Sequence, residues 1–504
     1  MKEKLIKSAK FSILGVMAIT LTSKFLGFVK ELVLAYFFGV SEISDAYLIS
    51  QTIPGTLFQL VGTGITTCFV PIYLAKKAEN REEALKFVDK FLSMVLCVSV
   101  ALTLIVLIFT RGIVRVFAMG FDAETMRLAE IFTRISVSSL VISAFVYVLT
   151  AFLNAEKKFF STAVSVIPYN LGLICAIWVG AEFHLYAISY VSVLAIVLQM
   201  LYLMISAKRC GYGFVPSFRW AKDKDIRQSL MLLPPVILGV AATEINTLID
   251  RTLASVLLVG GITIISYGTS LFNLLVGVFA QSVSTVYYPS IAEAAAAKDN
   301  DAVSKHVKKA LEFLLFMMIP LTAGVFVVSD ELVNVCFRHG SFNADDARLL
   351  SGVLILYSLG IVAYGIRQVI SNAFYSLRMT KQPMINTVVG IVINIGANFL
   401  FGYFWGIKGL ALATSLSTAV ICVLLIISLR KVLKQSFLPS IKTVIMYLVS
   451  AGIMFAACFA IDYFWKVSDL ISLIVIAVAG VAVYMILTWI LGINPILSKK
   501  KAKS

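Results

Sequence analysis

Residues 69–88 read FVPIYLAKKAENREEALKFV, and residues 287–307 read YYPSIAEAAAAKDNDAVSKHV. In each, a proline closes an apolar run and a mixed-charge segment leads into the next one, with Pro71 and Pro289 at matching places. Working outward, Phe121-Asp122-Ala123-Glu124 with Arg127-Leu128 returns at a nearly unchanged offset as Phe342-Asn343-Ala344-Asp345 with Arg348-Leu349. Thr150-Ala151-Phe152 returns in the same register as Asn372-Ala373-Phe374, each followed by a short basic loop and a proline, Pro168 or Pro383. Chance similarity between apolar segments does not hold loops and helices in step, so the chain carries an internal duplication.

What repeats is membrane-embedded. Of 504 residues 60% are hydrophobic and 14% charged, against about half and a quarter in soluble domains. Apolar runs predict helices over 11–38, 45–75, 87–110, 126–153, 159–180, 183–206, 230–253, 259–290, 308–328, 347–376, 384–404, 407–429, 442–463 and 467–491, each long enough to cross a ~30 Å hydrocarbon core. The basic start, Met1 to Lys10, precedes a run with no small-residue cleavage site, so the first helix is expected to be retained. Six helices per repeat give both halves the same orientation, related by an axis along the membrane normal. The expected fold is therefore an all-α integral membrane protein with about fourteen transmembrane helices: two pseudo-symmetric six-helix lobes around a central cavity, plus two C-terminal helices. The lobes are expected over 1–221 and 222–434, and the two extra helices with a basic tail over 435–504.

Charge sets the orientation. Most of the 43 Lys and Arg fall in the N-terminus, the even-numbered loops and the C-terminus, which puts both termini in the cytoplasm of an inner membrane. The net charge of +16 follows from that topology and from anionic membrane lipids, with no need of nucleic acid. Seven Cys are scattered singly and read as small buried hydrophobes; His184, His306 and His339 lie in or beside loops. Neither pattern predicts a metal or cofactor. No Walker A sequence occurs, so ATP is not the expected direct energy source; membrane potential or a counter-ion is.

An ionisable group at mid-membrane costs about 3 kcal/mol or more, so it faces a cavity or a partner. Five basic residues are read as meeting that description, Lys24, Lys30, Arg134, Arg251 and Arg367, with Glu31, Asp45, Glu244 and Asp250 as acidic companions. Lys24 and Lys30 are about 120° out of phase on an ideal helix, so both can border a wide cavity, or meet if Gly27 bends the helix. Asp45 is expected near the outer surface, at small cost. Glu244 and Arg251 share nearly one face of helix 7, with Asp250 adjacent. Helix 2 adds Gln51 and Gln59, and helix 8 adds Ser270, Asn273 and Gln281. First helices of both halves carry charge and second helices carry amides, which favours one polar cavity of net positive character, suited to phosphate, pyrophosphate or carboxylate. Internal pairs, Lys30–Glu31 or Asp250–Arg251, that only lock helices together are the alternative. Arg134 and Arg367 fit a structural or a substrate-facing role equally. Gly and Pro within helices, Pro54, Gly62, Gly64, Pro234, Pro235 and Gly277, fit helices that bend during transport.

The stretch SKFLGFVKELVLAYFFGVSEISDAYLISQTIPGTLFQLVGTGITTCFVPIY resembles the MurJ (MviN) family of lipid II flippases, as do INTLIDRTLAS, SVSTVYYPSIAE, GSFNADDARL, NAFYSLRMTKQP and GLALATSLS. The resemblance covers residues 10 to 430 and leans toward the Gram-positive branch. It implies the multidrug/oligosaccharidyl-lipid/polysaccharide exporter fold and transfer of lipid-linked peptidoglycan precursor to the outer leaflet. By matching motif it carries over Lys24, Lys30, Glu31, Asp45, Asp250 and Arg251 as substrate-binding residues; with Gln59 these form the expected binding set, and Gln51, Arg134, Glu244, Ser270, Asn273, Gln281 and Arg367 are further cavity candidates from their place in the chain. In the family the last two helices are thought to form a groove for the polyprenyl tail. Implied partners are a polyprenyl-diphosphate-linked glycan, membrane lipids and the cell-wall synthesis machinery. Phe58, Gln59 and Ser270 stand where many members carry arginine, and Lys replaces Arg at both helix 1 positions, exchanging bidentate forks for point charges. The competing readings are export of another polyprenyl-diphosphate-linked oligosaccharide, for capsule or exopolysaccharide, and drug antiport of the MATE type. A membrane glycosyltransferase would need catalytic carboxylates in larger outer loops; Asp122, Glu124, Asp345 and Asp346 read instead as helix-start caps.

Overall fold

A computed structural model describes residues 2–218, 220, 223–465 and 468–496. The expected 221/222 junction and the basic tail from 497 onward lie outside the described residues, and so do the side chains of Gly64, Pro234 and Pro235. Among the described residues the chain is helical throughout: α1 Lys2–Phe38, α2 Glu42–Glu79, α3 Arg81–Ile108, α4 Thr110–Phe117, α5 Ala123–Ser136, α6 Ser139–Ala155, α7 Phe159–Val164, α8 Val166–Glu182 and α9 Ala187–Arg209. Then follow α10 Lys224–Leu257, α11 Gly261–Ala296, α12 Asn300–Phe337, α13 Ala344–Ser358, α14 Ile361–Ser376, α15 Lys381–Trp405, α16 Ile407–Leu433, α17 Ile441–Phe464 and α18 Asp469–Ile490. Nine spans among the described residues are long and apolar enough to cross a membrane, and eleven are when two bent pairs each count as one. The three remaining long helices, α1, α2 and α10, have 37, 38 and 34 residues, enough by rise alone.

The bent pairs correct the prediction of unbroken helices over 126–153 and 347–376. α5 meets α6 at 45°, and α13 meets α14 at 44°. The breaks fall at 137–138 and 359–360, in the register of the repeat. At both, a serine hydroxyl donates back to a carbonyl of the preceding turn, Ser138 to Ile135 O and Ser358 to Ile355 O, each at 2.7 Å. Such back-bonding competes with the helix ladder and bends it. The repeat extends to backbone detail: Lys157 and Arg378, which occupy equivalent turns, have φ of 60° and 58°. The helix-start caps are present, with one refinement. Asp122 accepts from the Thr125 N–H at 3.0 Å, whereas α13 is capped by Asn343, and Asp346 returns to the Asn343 N–H.

The chain forms two compact units, Met1–Thr263 and Ile264–Ser504. In the first, α2 packs on α5, α6 and α10, and α8 lies between α1 and α9. The stretch that opens the repeat is a helical hairpin turned at Asn80, whose side chain accepts from the Glu82 and Glu83 N–H groups. Its aromatic residues build a core: Phe69, Tyr73, Phe87, Phe91 and Phe152 are buried with ring centroids 5.2–5.7 Å apart. In the second unit, α17 and α18 pack on α12, with Phe316 against Tyr447 and Tyr484.

Candidate functional site

A cavity of the first unit lies among α2, α6, α8 and α9. Its volume is ≈ 380 Å³, and beside apolar residues such as Phe58 and Ile196 it is lined by amides and hydroxyls, among them Gln51, Ser143, Tyr147, Tyr169, Ser192 and Gln199, and by no charged side chain among the described residues. The charge stands just behind this lining. Lys30 Nζ is 2.8 Å from Glu31 Oε1, and Glu31 is 7% exposed, so the pair is an internal one. Lys30 lies within electrostatic reach of Tyr47 and Tyr169; Tyr47 shares a 3.0 Å hydrogen bond with Ser192 on the cavity wall. The second Glu31 oxygen, Oε2, is buried and accepts no hydrogen bond among the described residues. A half-buried lysine paired with a buried carboxylate thus stands beside a neutral, hydrogen-bonding chamber.

Of the predicted helix 1 residues, Lys30 and Glu31 are thus brought to this cavity, and Lys24 is exposed. Gln51 lines it and donates to Ser136 at 3.3 Å, while Gln59 is exposed. Phe58, where the family resemblance leads one to expect arginine, is buried against the Tyr147 ring, with ring centroids 4.7 Å apart. A Cβ at Gly62 would come within 2.5 Å of that ring, so glycine there lets α2 approach Tyr147. On α10, Glu244, Asp250 and Arg251 are half-buried, and Asn246 donates to Asp250 at 3.2 Å. Arg134 is exposed at the end of α5. In the second unit Ser270 and Arg367 are half-buried, and Asn273 and Gln281 are exposed. The hydroxyl wall itself, Ser143, Tyr147, Tyr169 and Ser192, escaped sequence reading. Its signal was weak: isolated Ser, Thr and Tyr in apolar helices also serve backbone back-bonding.

The expectation of a small burial cost at Asp45 is revised: it is 2% exposed, packed within the protein, and Oδ1 accepts from the Thr263 N–H at 2.8 Å and the Thr263 hydroxyl at 2.6 Å. These bonds offset part of its desolvation. They tie the start of α2 to the first turn of α11, and they belong to a longer seam. The Thr252 hydroxyl donates to Val116 O at 2.8 Å, and the Gly120 N–H donates to Ser255 Oγ at 3.1 Å. A Cβ on Gly120 would lie 2.1 Å from the Ser255 carbonyl oxygen, and one on Gly260 2.2 Å from Val40. The opposite, basic end of α10 is held differently: Lys90–Asp223 and Lys76–Asp225 ion pairs of 2.6 Å join it to α3 and α2. Burial pushes the Asp223 carboxyl up, but the bonds from Lys90 and from the Ile226 and Asp225 N–H groups outweigh it and hold the group below its ordinary range. A similar balance holds Glu156, at the end of α6: burial opposes, and bonds from Lys77 and Tyr73, each 2.6 Å, prevail.

The family model described as lipid II flippase MurJ matches residues 34–486, across both repeats and into α18. The chain belongs to the MurJ family. A probable lipid II flippase MurJ of Aquifex aeolicus (strain VF5) is 27% identical over 444 residues, covering 86% of this chain and 85% of the relative. That of Borreliella burgdorferi is 25% identical over 488 residues, covering 95% and 96%. Among solved structures, a lipid II flippase MurJ in an inward closed conformation superposes with a TM-score of 0.84 at 25% identity, covering 95% of this chain and 98% of that one. An inward-facing multidrug transporter of the MATE family in the MOP superfamily gives 0.70 at 14% identity, covering 84% and 98%, a likeness of fold alone. As a MurJ-family chain, this is a multi-pass membrane protein of transporter type.

Proposed function

We propose that this protein moves lipid II from the inner to the outer leaflet of the cytoplasmic membrane by alternating access. The observation that carries the reading is the family match running unbroken from residue 34 to residue 486. In this proposal Lys30, kept charged by Glu31, meets the diphosphate together with Lys24 and Arg251, and the hydroxyl- and amide-lined cavity receives uncharged parts of the head group. Gln51, Gln59, Asp250, Glu244, Ser270, Asn273 and Gln281 supply further polar contacts, with Arg134 and Arg367 as structural or substrate-facing cations. Asp45 acts through the seam, by holding α2 to α11 at the end of α10 away from the ion pairs. The ion-paired end is assigned to the cytoplasm with both termini, by the distribution of Lys and Arg. Membrane potential or a counter-ion resets the cycle, and α17 and α18 form the surface for the polyprenyl tail. The repeat boundaries, 1–221 and 222–434, describe the duplicated units that move, and 435–504 adds the two extra helices and the basic tail.

One observation favours a second reading. Phe58 packs on Tyr147 where the family resemblance leads one to expect a cation, so the cargo on this reading is a different polyprenyl-diphosphate-linked oligosaccharide. Complementation of a flippase-depleted bacterium, with outer-leaflet lipid II as the readout, separates the two. Restored lipid II and growth are expected from the native chain, and loss of both from Lys30→Ala. Native protein that is present in the membrane but restores neither would favour the second reading.

A further inference from the structure

The linker from α9 to α10 is built against the outer face of α3. Arg81 Nη2 donates to Cys210 O at 2.6 Å, Asp89 Oδ1 accepts from the Tyr212 hydroxyl at 3.0 Å and the Val215 N–H at 3.1 Å, and the Ser217 N–H donates to Ser93 Oγ at 2.9 Å. Phe214 is braced edge-on against Phe145, with ring centroids 5.3 Å apart. So pinned, the linker leaves an apolar groove of ≈ 520 Å³ between Phe214, Pro216 and Phe218 on one side and a stripe of α3 on the other. The stripe, Ser93, Leu96, Cys97, Val100, Ala101 and Leu104, follows helical spacing along one face, and from Ser93 to Leu104 it rises about 16 Å.

Two features set the occupant. The groove opens on the surface of a helix apolar enough to cross a membrane: Leu104 is 54% exposed and Phe218 is 77% exposed. At its polar end stands the turn anchored by Arg81, immediately after Lys208 and Arg209, which are exposed and have no acidic partner among the described residues. An apolar slot with cations at its head suits a chain that ends in a negative charge. No residue of α3 lines the polar cavity, so the occupant need not be cargo.

We propose that this groove binds one acyl chain of an anionic phospholipid, with the head group at Lys208 and Arg209. The lipid then buttresses the connection between the two repeats. The site does not depend on the identity of the cargo.

The test is native mass spectrometry of the full chain in detergent, titrated with phosphatidylglycerol and with phosphatidylcholine of the same chain length. The native protein should retain phosphatidylglycerol about tenfold better than phosphatidylcholine, as two surface cations allow. Ala101→Trp, which fills the groove from an exposed position, should lose the retained lipid. Lys208→Gln with Arg209→Gln, also exposed, should bring phosphatidylglycerol down to the phosphatidylcholine level. Equal retention of the two lipids by the native chain would overturn the proposal, as would unchanged retention in either variant. So would preferential capture of a polyprenyl diphosphate that Ala101→Trp abolishes.

Discussion

The two ends of α10 are fastened to the first unit by opposite means. At the basic end long side chains reach across, Lys90 to Asp223 and Lys76 to Asp225, over partly exposed surfaces. At the far end there is almost no side chain to reach with: Gly120 lies on the Ser255 backbone, Gly260 on Val40, and Thr263 on the buried Asp45. Partly exposed ion pairs contribute about 0–1 kcal/mol each and weaken with salt. Close packing tolerates no added volume and gives no warning before it fails. One helix therefore has an end that releases gradually and an end that is seated or unseated. Our functional proposal uses this contrast, since a transporter that exposes its site to one side at a time needs a closed end that stays firmly closed.

The comparison is broken most directly at the far end. Gly120→Val puts methyl groups into the Ser255 carbonyl, and overpacking of this kind costs about 1–3 kcal/mol. We expect a loss of complementation and a fall of several degrees in thermal midpoint; native behaviour would show that the seam yields. Gly260→Val adds backbone strain to the clash, because Gly260 has φ +79°.

Asp45→Ala should come next. It removes the acceptor of two bonds from Thr263, at about 1.5–3 kcal/mol for bonds to a charged group. Asp45→Asn keeps an oxygen acceptor and should recover part of the stability. Thiol labelling at a cysteine placed at Val40 should rise in the Ala variant and less in the Asn variant; equal labelling of all three proteins would remove Asp45 from the seam.

Lys30→Ala leaves Glu31 buried without its cation, a change of about 3–5 kcal/mol in buried pairs. The double variant Lys30→Ala with Glu31→Ala should regain stability without regaining transport. Recovery of both would reduce the pair to a helix lock.

The smallest effects belong to the ion-paired end. Lys90→Gln should lower stability by about 1 kcal/mol or less, and raised salt should erase the difference. The Asp223 carboxyl is held below its ordinary range, so its contribution is present above that range and is lost as the pH falls through the lowered value. The difference in thermal midpoint between the native chain and Asp223→Asn should therefore shrink toward zero below about pH 4. A difference that persists there would mean that packing, not charge, holds this end.

Much of the fold was legible because membrane helices announce themselves locally. Apolar length and caps such as Asp122 depend on residues close together in sequence, and the repeat shows itself when two such stretches are laid side by side. The breaks at 137–138 and 359–360 were not legible, since Val137 and Leu359 read as ordinary apolar positions and a serine bends a helix only in some contexts. Within the candidate site, Lys30, Glu31 and Gln51 were found because charge and amide are rare in such runs. The hydroxyl wall was missed because Ser, Thr and Tyr are not.

The helical class, the duplication and the family follow from the residues in order, since hydrophobicity and register are summed along the chain. Partnership needed the folded molecule. Asp45 met a threonine far along the chain, Lys30 was satisfied by its own neighbour, and α10, counted by the repeat with the second half, packed with the first. The reason is physical: a buried charge is governed by whichever group lies within a few ångströms, and contacts of that length join residues that no local pattern relates.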